Sequence, residues 1–153
     1  MKLSSTLFAI SLLLLSTYCQ ASDSKTQSAT IQQLRQFQQQ DHFLPDNFLY
    51  TGIKNPQLKQ KLNQNIADTS QAFIKLYESH TPPSKKQLLK TLADGINQID
   101  PYSLDTDDRE QVAVSYEKFL DIIGLESSDG ILNTWVYGEV INKLIEQKKS
   151  VKP

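Results

Sequence analysis

His42 and His80 are the only imidazoles in this 153-residue sequence, and they limit the acid–base and metal chemistry it can perform. Each lies in a connection beside a proline-containing turn, and no H-x-x-x-H or other close pair exists. The single cysteine, Cys19, falls in an N-terminal segment expected to be removed. The usual zinc ligand sets are therefore missing, and no metal or cofactor is expected. "DTDD" at 105–108 opens like a calcium loop but lacks the glycine at position six and the glutamate at position twelve. Those acids are better suited to capping a helix. Serines are plentiful, yet no histidine or lysine is placed by sequence to activate one. The five glycines are scattered, so no loop is built to cradle phosphate. No catalytic residue is expected, and the chain reads as a non-enzyme.

Binding chemistry is more visible. "SSDGILNTWVYG" at 127–138 gathers an amide, a phenol and the one tryptophan of the chain. Asn133, Trp135 and Tyr137 there combine amphipathic rings with an amide, the chemistry of interface anchors. The competing account is architectural: Ser127 or Ser128 caps a helix, Trp135 fills the core, and Gly138 marks a close helix crossing. "FLPDNFLYTGI" at 43–53 is the second such region. Either Phe43, Leu44, Phe48 and Tyr50 close one end of a bundle as a strap, or they expose an aromatic edge to a partner. The candidate binding set is thus Phe48, Tyr50, Asn133, Trp135 and Tyr137.

The elements that must position these residues follow from periodicity. Ile31, Leu34 and Phe37 in "TIQQLRQFQQQ" mark a short amphipathic helix despite its glutamine bias. In 55–80, Asn55 is a good N-cap and Pro56 sits at the first helical position. Leu58, Leu62, Ile66, Thr69, Phe73, Leu76 and Tyr77 then share one face. "TPP" at 81–83 stops that helix, and Ser84 with Gln87 forms a capping-box pair for the next. Leu88, Leu89, Leu92, Ile96 and Ile99 are its buried stripe, Gly95 is a weak point within it, and Pro101 bars continuation. Asp105 or Thr106 caps a fourth helix whose stripe is Val112, Tyr116, Phe119, Leu120 and Ile123. Gly124 followed by Leu125 predicts a Schellman ending. A fifth helix opens in "SSDGILNTWVYG" and is expected to run to about Gln147, burying Ile131, Leu132, Trp135, Val136, Ile141, Leu144 and Ile145. No strand-period alternation appears. The fold class is all-α, a compact bundle of four to five helices, and Leu62, Phe73, Leu92, Phe119 and Trp135 should lie at its centre.

The ends set the compartment. Lys2 precedes the apolar run "LFAISLLLL" at 7–15, which is too short to span a bilayer, and Cys19-Gln20-Ala21 places small residues before a cut at Ser22. Residues 1–21 thus read as a cleaved secretory signal, which sends the protein to the periplasm or outside the cell. A lipoprotein anchored through Cys19 fits less well, because Tyr18 is bulky at the position before it. Residues 22–30 are expected to be a flexible leader, 31–147 one helical domain and 148–153 a basic tail. No transmembrane segment follows. Loss of Lys2 leaves the chain one unit more negative than the −1 of the full sequence, which argues against nucleic acid as a partner.

"YTGI" at 50–53, "TDDRE" at 106–110 and "SSDGILNTWVYG" at 127–138 together resemble a family of small exported bacterial proteins classed as a domain of unknown function, with the motif S-S-D-G-x-L-N-x-W-x-Y-G. The resemblance covers about Phe43 to Gly138 and implies a Gram-negative periplasmic or exported protein. It implies no established activity, so no catalytic residue carries over. The expectation that follows is an interaction protein with a periplasmic protein partner, in one form an immunity-type inhibitor of a toxin that attacks the cell wall. The alternative is a binder of a small apolar ligand in a cavity between helices near Trp135.

Overall fold

The computed structural model describes residues 25–46, 49–79 and 81–138. The expected signal segment, Phe48, His80 and everything expected beyond Gly138, including the basic tail, lie outside the described residues. Within them the chain is all-α. Helix α1 covers residues 25–37, α2 Pro56–Tyr77, α3 Lys85–Ile96, α4 Thr106–Ile123 and α5 Ile131–Tyr137. A single 3-10 turn, Pro101–Ser103, lies between α3 and α4.

The helix boundaries are set by local hydrogen bonds. Asn55 accepts the backbone N–H groups of Gln57 and Leu58, and Pro56 follows it where a missing N–H costs nothing. Ser84 and Gln87 form the reciprocal capping box of α3. Asp105, not Thr106, caps α4 by accepting the N–H of Asp108 at 2.8 Å. Caps of this kind are worth about 1 kcal/mol each. Gly124 ends α4 with φ 71°, and the N–H of Leu125 reaches back to the Leu120 carbonyl at 2.9 Å, the Schellman geometry.

Packing follows the apolar stripes. Among α2–α5, helix α2 pairs most extensively with α3, and α4 contacts α2, α3 and α5. Leu62, Phe73, Leu92, Phe119 and Trp135 are all buried. Phe119 is the junction: its ring lies 4.9 Å from Phe37 of α1, 5.2 Å from Phe73 of α2 and 5.3 Å from Tyr116, centroid to centroid. Four side chains meet there, from three helices.

A polar cluster crosses this core. The Tyr116 hydroxyl donates to Asn65 Oδ1 at 2.6 Å, Asn65 Nδ2 donates to the Gly95 carbonyl at 3.0 Å, and Thr69 Oγ1 lies 2.8 Å from the Asn65 carbonyl and 2.9 Å from the Tyr116 oxygen. Two hydroxyl protons serve three contacts, so with Tyr116 donating to Asn65 the Thr69 proton is shared between two acceptors. Burial pushes the Tyr116 phenol up, which keeps its proton in place as donor.

Several expectations are corrected. The polar stretch 25–30, read as flexible leader, is helical, and Thr30 is buried. Gly130, at φ 87°, takes the N-cap position of α5; Ser128 Oγ still accepts the first-turn N–H of Leu132 through a long contact, 3.5 Å, while Ser127 accepts the N–H of Asp129 in the turn before it. Asp129 sits at φ 49° and pairs with Lys85 of α3 at 2.8 Å. Helix α5 ends at Tyr137, because Gly138 adopts φ 76°. No described residue approaches the place a Gly138 Cβ would occupy, and its positive φ is a backbone conformation that favours glycine. The close crossing is at Gly95, where a Cβ would fall 2.7 Å from Thr69 Cγ2 and 3.0 Å from the Tyr116 oxygen.

The segment between α1 and α2 is anchored by His42. Its Nε2 donates to the Phe37 carbonyl at 3.0 Å, its backbone N–H donates to Asn63, and its carbonyl accepts from Gln111 Nε2 at 2.8 Å. Desolvation of the buried ring holds His42 below its ordinary value of 6.5; the hydrogen bond to the Phe37 carbonyl opposes the shift, Lys118 adds to it and Asp41 opposes it slightly. The unfolded chain therefore takes up a proton near 6.5 that the folded chain resists. Stability should be full above that value and decline as pH falls through it toward the lower folded value. Urea midpoints measured at about pH 7.5 and about pH 5 should differ, and His42→Gln, whose amide can donate to the same carbonyl, should shrink the difference. Equal slopes in both proteins would remove His42 as the source. Asp41 titrates lower still: burial opposes its charge, but hydrogen bonds from Lys59, Asn63 and the Phe43 N–H outweigh it.

Candidate interaction face

Of the five side chains singled out for binding, the structure engages two inside the fold. Trp135 is 7% exposed, and its indole N–H donates to the Ile99 carbonyl at 3.0 Å. Tyr50 is buried too, and its hydroxyl donates to Asp108 Oδ1 at 2.9 Å, clipping the strap to the first turn of α4. Burial and the Asp108 carboxylate both push the Tyr50 phenol up, so it remains the donor. Burial also raises Asp108, with Asp105 and Asp107 adding repulsion while the Tyr50 hydrogen bond opposes the shift. The strap itself splits. Phe43 and Tyr50 are buried, as a strap closing the bundle requires, whereas Leu44 is exposed, as an open edge would have it. Gly52, at φ 76°, is required because a Cβ there would meet the Pro45 ring at 2.9 Å.

Asn133 and Tyr137 are brought together. One helical turn apart on α5, they border a cleft of about 180 Å³ against α4, opposite Val114, Glu110 and Glu117. Tyr137 is 54% exposed and Val114 42%, which makes this an open amphipathic face with a carboxylate on either side of its apolar centre. The neighbouring Leu132 and Val136 point into the core, so the face rests on a rigid base. Arg109 ties the far end of α5 to α4 through a long contact, 3.5 Å, to the Val136 carbonyl. Val114, Glu110 and Glu117 were not anticipated. The available signal was Val114 itself, an aliphatic residue two positions from both Val112 and Tyr116 and so off the buried stripe.

The buried Ser115 hydroxyl donates to the Gln111 carbonyl of its own helix, and the His42 ring is held by Phe37, so neither forms a nucleophile–base pair with the other. Among the described residues no group of three or more His, Cys, Asp or Glu side chains is placed to hold a metal ion, and no described helix is long and apolar enough to cross a membrane.

An all-α domain, with five helices among its described residues and an exposed amphipathic face beside the last of them, is the class of protein these features define. The chain belongs to the family described as "Domain of unknown function (DUF4844)", whose model matches residues 24–140. It is also similar to the crystal structure of a DUF3571 family protein from Acinetobacter baumannii AYE, at 60% identity and a TM-score of 0.74, with 79% of this chain and 98% of that one covered. No curated protein matches it.

Proposed function

We propose that this chain is an exported, non-catalytic binding protein that meets a protein partner through the α4–α5 face. The observation that carries the reading is Tyr137, half exposed beside Asn133 and facing the off-stripe Val114 across a shallow cleft. Tyrosine in such a setting offers large contact area at low entropic cost, and the Glu110 and Glu117 carboxylates suit a partner that presents a basic side chain at the rim. Export is supported by the apolar run and small-residue cut site of the N-terminus, and the family match begins just beyond that cut. A Gram-negative periplasmic protein carrying the S-S-D-G-x-L-N-x-W-x-Y-G motif fits both. In its most specific form the partner is a cell-wall-degrading toxin, and the protein acts as an immunity-type inhibitor. The alternative, a small apolar ligand held beside Trp135, has less support, because that ring is buried and its one polar atom already has a partner.

The test compares wild type with Tyr137→Ala and Asn133→Ala in capture from a periplasmic extract, with stability measured in parallel. The substitutions should abolish capture of a partner held by wild type while changing folding stability by less than about 1 kcal/mol, as for surface positions. Inhibition of a captured cell-wall hydrolase by wild type, and not by Tyr137→Ala, would support the immunity form. Undiminished capture by both variants would refute the face.

A further inference from the structure

The glutamine bias of this sequence has a spatial counterpart away from α4–α5. Gln57, Gln60 and Gln64 recur at steps of three and four along α2, and with Gln98 and Ser103 they rim a groove of about 680 Å³ between α2 and the α3–α4 connection. Its lining also includes four aliphatic side chains, Leu58, Leu62, Ile99 and Leu104, the last three of them buried. The volume lies in the range of small-ligand sites. One wall is fixed from behind, since the Trp135 indole holds the Ile99 carbonyl.

The polar groups are partly pre-set. Gln64 Nε2 donates to Asp68 at 2.8 Å and Gln98 Nε2 to the Asp94 carbonyl at 3.3 Å, which leaves both carbonyl oxygens as acceptors. Asn65, 9% exposed and part of the same lining, gives one amide hydrogen to the Gly95 carbonyl while its oxygen accepts from Tyr116. A primary amide carries two hydrogens, so a donor remains for whatever enters. Beyond Gln60 and Gln64 a second depression of about 460 Å³ is bordered by Gln38, Gln39 and Gln40, which extends the row of amides toward the end of α1.

Side-chain carboxamides are neutral and present a donor and an acceptor together, the same pairing a peptide group presents. An aliphatic base suits an aliphatic side chain, and the described lining has no aromatic ring of the kind on which a sugar would stack. Asp68 and Asp100 outnumber Lys61, so the groove prefers a basic residue. We propose that this groove binds a short extended peptide, its backbone read by the glutamine and asparagine amides and its aliphatic and basic side chains taken by the leucine base and the aspartates.

The test is a titration of the full mature chain, followed by ¹⁵N NMR, with an acetylated and amidated Gly-Leu-Lys-Leu-Gly peptide, its Glu-for-Lys counterpart, and a chitin tetrasaccharide. The lysine peptide should give saturable shifts at the Asn65 side-chain amide, Gln64 and Ser103, and the glutamate peptide should bind several-fold more weakly. Gln60→Ala and Gln64→Ala, both at exposed positions, should each weaken the lysine peptide by about fivefold, the scale of one lost hydrogen bond, without altering the rest of the spectrum. No saturable shift with either peptide would overturn the proposal. So would shifts produced by the tetrasaccharide alone, or affinity indifferent to both glutamine substitutions.

Discussion

Replacing Phe119 by alanine is expected to destabilise the fold by about 3–5 kcal/mol, the range for a large aromatic removed from a rigid core. The ring is fully buried and touches Phe37, Phe73 and Tyr116, so its loss opens a cavity between α1, α2 and α4 that no single helix can close by shifting. Domains of this size have about 5–15 kcal/mol in hand, so the variant should sit near its unfolding threshold. Phe119→Leu, which keeps most of the volume, should lose far less. Urea titration of the three proteins checks this. A loss below about 1 kcal/mol for the alanine variant would mean that the aromatic junction collapses readily and is not what holds α1 in place.

Gly95→Ala should destabilise by about 1–3 kcal/mol, opposite in sign to the effect of the same change in an ordinary helix. Alanine would normally gain about 1 kcal/mol over glycine at such a position. Here the added methyl meets both branches of Thr69 and the Tyr116 oxygen, and Thr69 is a stiff β-branched residue whose hydroxyl is already bound to the Asn65 carbonyl. Thermal or urea denaturation of Gly95→Ala, Thr69→Ala and the double variant forms a cycle. The double variant should be more stable than the two single losses add up to, by more than about 1 kcal/mol, because Thr69→Ala clears the space. A stabilised Gly95→Ala, or simple additivity, would refute the steric account.

Gly95 and Gly138 also show where sequence reading stops. Each glycine falls in or beside a helical pattern, and in one dimension both look alike. Periodicity marks Gly95 as a weak point and Gly138 as a close crossing, yet the close approach is at Gly95 and Gly138 ends α5 through its positive φ. What separates them is a neighbour 26 positions before Gly95 and a positive φ at Gly138, neither of which periodicity encodes. Helix existence and capping were legible for a matching reason. The Asn55, Ser84–Gln87, Asp105 and Gly124 signals all act within a few residues of the helix ends they set. The start of α1 was hidden because a stripe marks where burial begins, and residues 25–29 are helical while burying none of their number fully. The candidate site was half legible. Amphipathic rings could be spotted, but whether Tyr50 and Trp135 find internal partners depends on residues 58 and 36 positions away. Tyr137 stayed outside because α5 turns it away from the core, and Val114 became its neighbour only through the pairing of α4 with α5.

The bond from the Trp135 indole to the Ile99 carbonyl gives the molecule a built-in optical reporter. As the sole tryptophan, Trp135 dominates the near-ultraviolet-excited emission, and its colour depends on whether the indole stays dry and bonded to the chain just before Pro101. Emission followed during unfolding therefore records the departure of α5 from the α3–α4 connection, an event confined to one corner of the bundle. Circular dichroism weighs every helix instead. A gap between the two curves would measure how far that corner can open while the rest of the domain stays folded.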